Sequence, residues 1–346
     1  MLRQFLRPLL VLIYLLAQPA LAADPFEHGW QLDADASAIT FLSVKKDKVA
    51  ETSRFAAVSG QITEGGVAQL VIALDSVDTK IDLRNVRMRF LFFETFTFPE
   101  ATVTAVLDPL PLQDLPSLRR KVITLPVTLS LHGVEVELEA EVAVTLVSND
   151  RINISTLNPV ILQLEDFNLM GGRDKLQEAA NVTITPLGIV NLNLAFDRRA
   201  PGTPVLAAPA TSGATAALEA AGDFSREACI GRFDILSRSR SVNFAPGTSR
   251  LDQRSTSFLD SLFDIVSRCP DMVVEVGGHT DDKGSAASNT RLSQKRANSV
   301  VRYLSNKGIP QERLQSVGYG EATPLVPNDT AQNRAKNRRI AFKVLN

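Results

Sequence analysis

The sequence predicts two domains of different class: an N-terminal antiparallel β-barrel or sandwich, then an α+β domain. Three observations carry this. The chain's 346 residues amount to two domains at roughly 150 residues each. Residues 200–222, APGTPVLAAPATSGATAALEAAG, are dominated by small residues and proline with no apolar periodicity, a composition suited to a linker rather than a core. The patterns on its two sides differ, with short period-two runs before it and strands alternating with helix-length runs after it.

Composition narrows the function classes. At 45% hydrophobic and 22% charged residues the chain matches an ordinary globular protein, not a disordered, collagen-like or multi-span membrane chain. The net charge of −1 gives no overall basic excess that would point to a nucleic-acid partner. The charge is split, however. Residues 23–222 carry 16 basic against 25 acidic side chains, whereas residues 223–346 carry 19 against 13. The C-terminal part is therefore the one suited to an anionic partner.

Residues 1–22 read as a secretory signal: Arg3 and Arg7 precede an apolar run from Leu9 to Ala17, and Ala20-Leu21-Ala22 offers a small-residue cleavage site. The run is too short to span a bilayer, which takes about 20 residues. The expected mature chain starts at Ala23, exported and soluble. No cysteine stands just after the apolar run, so no lipidation is expected at that site.

In residues 23–199, runs such as Ala38–Leu42, Gln69–Leu74 and Val190–Phe196 are β-branched and apolar and read as strands. From Val134 to Val142, valine and leucine alternate with glutamate, giving one dry face and one wet face. About eight such strands without long helices between them favour antiparallel pairing, because parallel pairs need crossover helices. Only Leu83–Phe93 reads as helical. His132-Gly133 between two strand runs reads as a hairpin turn.

In residues 223–346, Phe258, Leu259, Leu262, Phe263, Ile265 and Val266 recur at helical spacing up to Cys269-Pro270, where proline stops the helix. Met272–Val276 reads as a strand. Leu292, Val300, Val301 and Leu304 mark a second helix that Gly308 and Pro310 end. Val242–Ala245 reads as an early strand. Cys229 and Cys269 are the two cysteines. An even count in an exported chain reads as a disulfide, with two buried thiols as the alternative. Two isolated cysteines lack the paired spacing of a zinc site.

The run Gly278-His279-Thr280-Asp281, then Gly284, Asn289, Leu292-Ser293, Arg296-Ala297, Gly318-Tyr319-Gly320, Pro324, Asn328 and Asn337-Arg338-Arg339 resembles the OmpA-like peptidoglycan-binding domain over about 105 residues, Ser241 to Asn346. On the residues alone, Asp281 leaves a strand and Arg296 lies on the following helix, so the two can flank one cleft and grip a zwitterion by charge-assisted hydrogen bonds. An ordinary structural ion pair is the alternative. The resemblance implies that the zwitterion is the diaminopimelate of the peptidoglycan stem peptide, with Asp281 taking the ammonium and Arg296 a carboxylate. It also puts Thr280, Asn289 and Arg338 at the cleft. Ala245 departs from the family, in which many relatives have an acidic residue there. The Asn337-Arg338-Arg339 tail read alone as a patch for phospholipid or nucleic acid is the weaker alternative.

The first mature segment resembles the YceI-like family over about 170 residues. Trp30-Gln31-Leu32-Asp33, Ser37–Phe41, Phe55, Ser59-Gly60, Asp78-Thr79, Arg84-Asn85, Phe92-Phe93, Phe98-Pro99 and Leu129–Val134 carry the likeness. Asn85 departs from it, since relatives often have aspartate there, and the match is loose after Leu157. The resemblance implies a lipocalin-like barrel holding an isoprenoid or other long apolar chain. An eight-stranded barrel is just wide enough to be filled by its own side chains or to hold one small ligand. Phe90, Phe92, Phe93, Phe96 and Phe98 are the expected lining, with filling of the core by these rings as the alternative.

The function expected is non-enzymatic: a periplasmic, peptidoglycan-associated protein of the Gram-negative envelope that presents a lipocalin-like domain. Expected partners are peptidoglycan and a polyprenyl or other apolar small molecule, with no nucleic acid, no metal and no cofactor beyond a bound isoprenoid, and with peripheral contact to the outer membrane left open. A structural spacer with a self-filled barrel is the second reading and a periplasmic enzyme the third. The sequence has no GxSxG, HExxH or glycine-rich phosphate loop, and its three histidines are far apart.

Overall fold

The computed structural model describes residues 24–200, 202, 222–239, 242–245 and 247–345. The expected signal segment and nearly all of the expected linker lie outside these residues. Eleven strands occur in the described N-terminal part: β1 (Trp30–Lys45), β2 (Val49–Phe55), β3 (Val58–Ile62), β4 (Val67–Ala73), β5 (Val77–Asp78), β6 (Glu100–Val106), β7 (Arg120–Leu131), β8 (Val134–Ser148), β9 (Arg151–Thr156), β10 (Val160–Gln163) and β11 (Leu187–Arg198). Eight of them form a closed antiparallel ring in the order β1, β3, β4, β6, β7, β8, β9, β11, with β11 returning to β1. That last pairing decides for a barrel over a sandwich.

The shape of the ring follows from its two long seam strands. β1 runs for 16 residues and is bulged between Asp33 and Ala38. Its first half pairs with β3 and its second half with β2. β11 likewise pairs with β9 at one end and β10 at the other. At the Lys45 end, β2 and β10 have no strand pairing that joins them to each other, so the wall opens there. At the Trp30 end, Phe26, Leu107, Leu112 and Leu115 are buried and close the base.

Local chemistry accounts for the connections. His132 and Gly133 both take positive φ, 52° and 77°, the two-residue turn whose twist matches that of the β7–β8 hairpin. The expected helix over Leu83–Phe93 is α1 (Asp82–Arg87), which runs on as a π-helix over Met88–Phe92. A single turn, α2 (Leu115–Leu118), follows β6. The sequence reading missed α3 (Met170–Ala180), in which only Gly172 and Leu176 are buried and the apolar periodicity is correspondingly faint. Gly172 lets this helix close on the Phe92 carbonyl, 2.6 Å from where a Cβ would stand.

The C-terminal part contains α4 (Arg226–Ser239), α5 (Thr256–Ser267), β12 (Val274–His279), α6 (Ala286–Lys307), β13 (Leu314–Gly320), α7 (Ala331–Asn337) and β14 (Ile340–Val344). β12 is central, parallel to β13 through the α6 crossover and antiparallel to β14. The expected early strand at Val242–Ala245 is reduced to one bridge, Phe244 to Leu251, among the described residues. Phe258, Leu259, Leu262 and Val266 on α5 pack with Val274, Val276, Val300 and Leu304 into a dry core. Cys229 on α4 and Cys269 form a disulfide. α4 also meets the barrel: a Cβ on Gly231 would stand 3.1 Å from the Leu83 side chain, and an Arg232 nitrogen lies 3.7 Å from an Asp82 oxygen.

Candidate functional site

The charged cleft of the C-terminal domain depends on two glycines. A Cβ at Gly278 would stand 2.2 Å from the Ser293 carbonyl oxygen, and one at Gly318 would stand 2.6 Å from the Gln294 nitrogen. With hydrogen in those places α6 lies directly on β12 and β13, and Ser293 Oγ accepts from the Gly320 amide at 2.9 Å. Thr280 and Asp281 follow the end of β12 immediately, so this contact brings them beside the first turns of α6.

Asp281 is 8% exposed. Its Oδ2 accepts from Arg338 Nη1 at 2.7 Å and its Oδ1 from the Lys283 amide at 3.2 Å. Asn289 Nδ2 donates to the Asp281 carbonyl at 3.2 Å and to Glu321 Oε2. Thr280 is buried, its amide donates to the Gly320 carbonyl, and its Oγ1 has no hydrogen-bond partner among the described residues. Arg296 is half-buried with its guanidinium over the Phe244 ring at 5.1 Å, and its Nε donates to the Thr248 carbonyl at 3.0 Å. Burial lowers the Arg296 pKa, the charge of Arg338 lowers it further, and that of Asp281 opposes both.

Of the five residues expected at the cleft, Thr280, Asp281, Asn289 and Arg338 meet through hydrogen bonds or chain adjacency, and Arg296 is within reach of the Asp281 and Arg338 charges. The direct partner of Asp281 is Arg338, not Arg296, which feels the carboxylate's charge without an ion pair to it. Two residues with unassigned roles prove important to the geometry. Glu321 holds Asn289. Asn337, fully buried, accepts from the Leu325 and Val326 amides at 2.8 and 3.1 Å and donates to the Val326 carbonyl, which fixes the chain just before Arg338. His279 stacks on Tyr319 at 5.0 Å, with its Nδ1 3.0 Å from Thr323 Oγ1, as a packing residue.

The second site is the barrel interior. A cavity of about 430 Å³ lies between Ile39, Ile72, Leu129, Ala140, Phe167 and Leu192, among other apolar side chains. Its size falls in the range of roughly 300–1,000 Å³ typical of small-molecule pockets. Of the five expected aromatics, Phe92 and Phe93 line it. The other three are turned elsewhere, because the π-turn and the following loop rotate them out of the barrel. Phe90 stacks on Phe96 at 4.7 Å, Phe96 meets Phe258 of the C-terminal domain at 5.8 Å, and Phe98 packs on His132 at 4.2 Å. Burial pushes the His132 pKa down.

At its Lys45 end the cavity wall becomes charged, with Lys45, Glu51, Arg84 and Arg87. Glu51 bridges Lys45 at 2.8 Å and Arg84 at 3.0 Å. Burial works against the Glu51 charge, but these two cations prevail and hold its pKa below the usual carboxylate range. The sequence reading did not pick out this group. The available signal was a pair of arginines three apart on the one helix expected in the barrel segment.

Residues 30–194 match the model of the YceI-like domain family and residues 243–338 that of the OmpA family. Outer membrane porin F of Pseudomonas aeruginosa is 38% identical over 104 residues, 30% of this chain and 30% of that protein. The probable lipoprotein YiaD of Escherichia coli is 34% identical over 106 residues, 31% of this chain and 48% of that protein. The peptidoglycan-binding protein ArfA of Mycobacterium tuberculosis is 38% identical over 86 residues, 25% of this chain and 26% of that protein. The chain therefore spans less than half the length of these curated relatives. A solved polyisoprenoid-binding domain from Saccharophagus degradans, implicated in plant cell wall breakdown, is 36% identical, covers 49% of this chain and 98% of its own, and superposes with a TM-score of 0.46.

Proposed function

The chain belongs to the YceI-like family over residues 30–194 and to the OmpA family over residues 243–338, and from that premise we propose that it is a non-enzymatic protein of the periplasm that binds peptidoglycan and carries a long apolar molecule in its barrel. The wall ligand is the diaminopimelate end of the stem peptide. The observation that carries this is the cleft itself: a buried carboxylate at Asp281 pairs with Arg338, acts electrostatically on the half-buried Arg296, and has beside it a Thr280 hydroxyl unpartnered among the described residues. An ammonium fits Asp281, a carboxylate fits the guanidinium of Arg296, and each charge-assisted hydrogen bond contributes about 1.5–3 kcal/mol. Repeated stem peptides in the wall make up for weak single-site binding.

The test is retention on purified sacculi. The folded Asp281→Ala and Arg296→Ala proteins are expected to lose about tenfold or more in apparent affinity, and retention equal to wild type would overturn the cleft assignment. For the barrel, the apolar cavity favours a container over a self-filled spacer. Native mass spectrometry of gently purified protein should find a co-purifying lipid mass of polyprenyl or similar long-chain type, and a protein that is always empty would favour the spacer.

A further inference from the structure

The charged end of the barrel cavity is unlike the rest of its wall. Three cations and one carboxylate line it, and Glu51 is already shared between Lys45 and Arg84. Arg84 and Arg87 are three apart on α1, a spacing that puts them on one helix face. Arg87 makes no ion pair or side-chain hydrogen bond among the described residues, and its Nε is shut off from water without a partner. A guanidinium nitrogen removed from water with no acceptor is costly, and an oxyanion supplied by a ligand would relieve that cost with charge-assisted bonds of good geometry. The apolar remainder of the cavity then takes the tail.

We propose that the mouth of the barrel is an oxyanion site, so that the cavity selects single-chain amphiphiles with a phosphate or carboxylate head bound by Arg87, beside Arg84 and Lys45, over neutral molecules with the same tail. This rests on the reading of the barrel as a container for an apolar chain and specifies which chains it takes. The proximity of Glu51 sets a limit on the head. Glu51 keeps Lys45 and Arg84 occupied and repels excess negative charge, so a single acidic group is preferred.

The experiment is calorimetric titration of the full chain with farnesyl monophosphate and farnesol, and with palmitate and hexadecanol, below their aggregation concentrations. The wild-type protein is expected to bind the acidic member of at least one pair about tenfold or more tightly than its alcohol, and the pair in which this occurs distinguishes phosphate from carboxylate. Arg87→Met, which keeps the apolar stem, should bring the ratio to about one, and Arg87→Lys should retain part of it. Equal affinity for acid and alcohol in the wild type, or an unchanged ratio in Arg87→Met, overturns the oxyanion site while leaving the container reading intact. Failure of all four probes to bind overturns both.

Discussion

At the scale of single residues, His279 shows how a side chain in the Gly278–Asp281 motif can be set for stability. It stacks on Tyr319 and is buried. Burial, reinforced by the Arg339 charge and opposed by Glu275, pushes its pKa down to about 4, against about 6.5 in an unfolded chain. The neutral form is therefore the folded form. Its contribution to stability is fully present above about pH 6.5 and is lost as pH falls toward 4, at up to about 1.4 kcal/mol per pH unit. Urea unfolding of the full chain at a series of pH values should show the C-terminal transition weakening across that window, and His279→Gln should flatten the dependence. The motif around His279 was readable from residue order. The pairing of Asp281 with Arg338 was not, because 57 residues separate the two and it takes the Asn337 brace together with the pairing of β14 on β12 to bring the tail back.

At the scale of elements, the close packing of α6 on β12 and β13 depends on the absence of side chains at Gly278 and Gly318. A methyl group at Gly278 would meet backbone, which cannot turn aside as a flexible side chain would. Gly278→Ala is expected to destabilise the domain by about 3 kcal/mol, near the upper end for overpacking, and to weaken sacculus retention because α6 carries Asn289 and Arg296. Thermal unfolding together with the retention assay checks both effects. Elements with strong periodicity were legible: the glutamate alternation of β8, the apolar stripe of α5 and the proline and glycine stops after α5 and α6. α3 was not, since it buries one face lightly, and the strand expected at Val242–Ala245 forms only a bridge. The aromatic cluster misled for a related reason. The π-turn after Arg87 shifts the helical phase, so only two of five neighbouring rings face the cavity.

At the scale of the whole molecule, the disulfide joins α4 to the end of α5 across 40 residues. A loop of that length contributes about 4 kcal/mol in the chain-entropy account. Reduction, or the double substitution Cys229→Ala/Cys269→Ala, is expected to lower the stability of the C-terminal part by about 2–5 kcal/mol while leaving the barrel transition in place. Differential scanning calorimetry with and without reductant separates the two transitions. The difference in fold class between the two parts was legible from the change of periodicity along the chain. The contact of α4 with α1 was not, because neither helix face signals its partner.

Leu83 belongs to two surfaces at once, bordering the barrel interior on one side and the backbone of Gly231 on the other. A molecule in the cavity that displaced this side chain would also change the seat on which α4 rests. Equilibrium linkage runs equally in both directions, so any free energy that filling the cavity costs at that seat would reappear, when α4 is re-seated from its other side, as a changed affinity of the cavity.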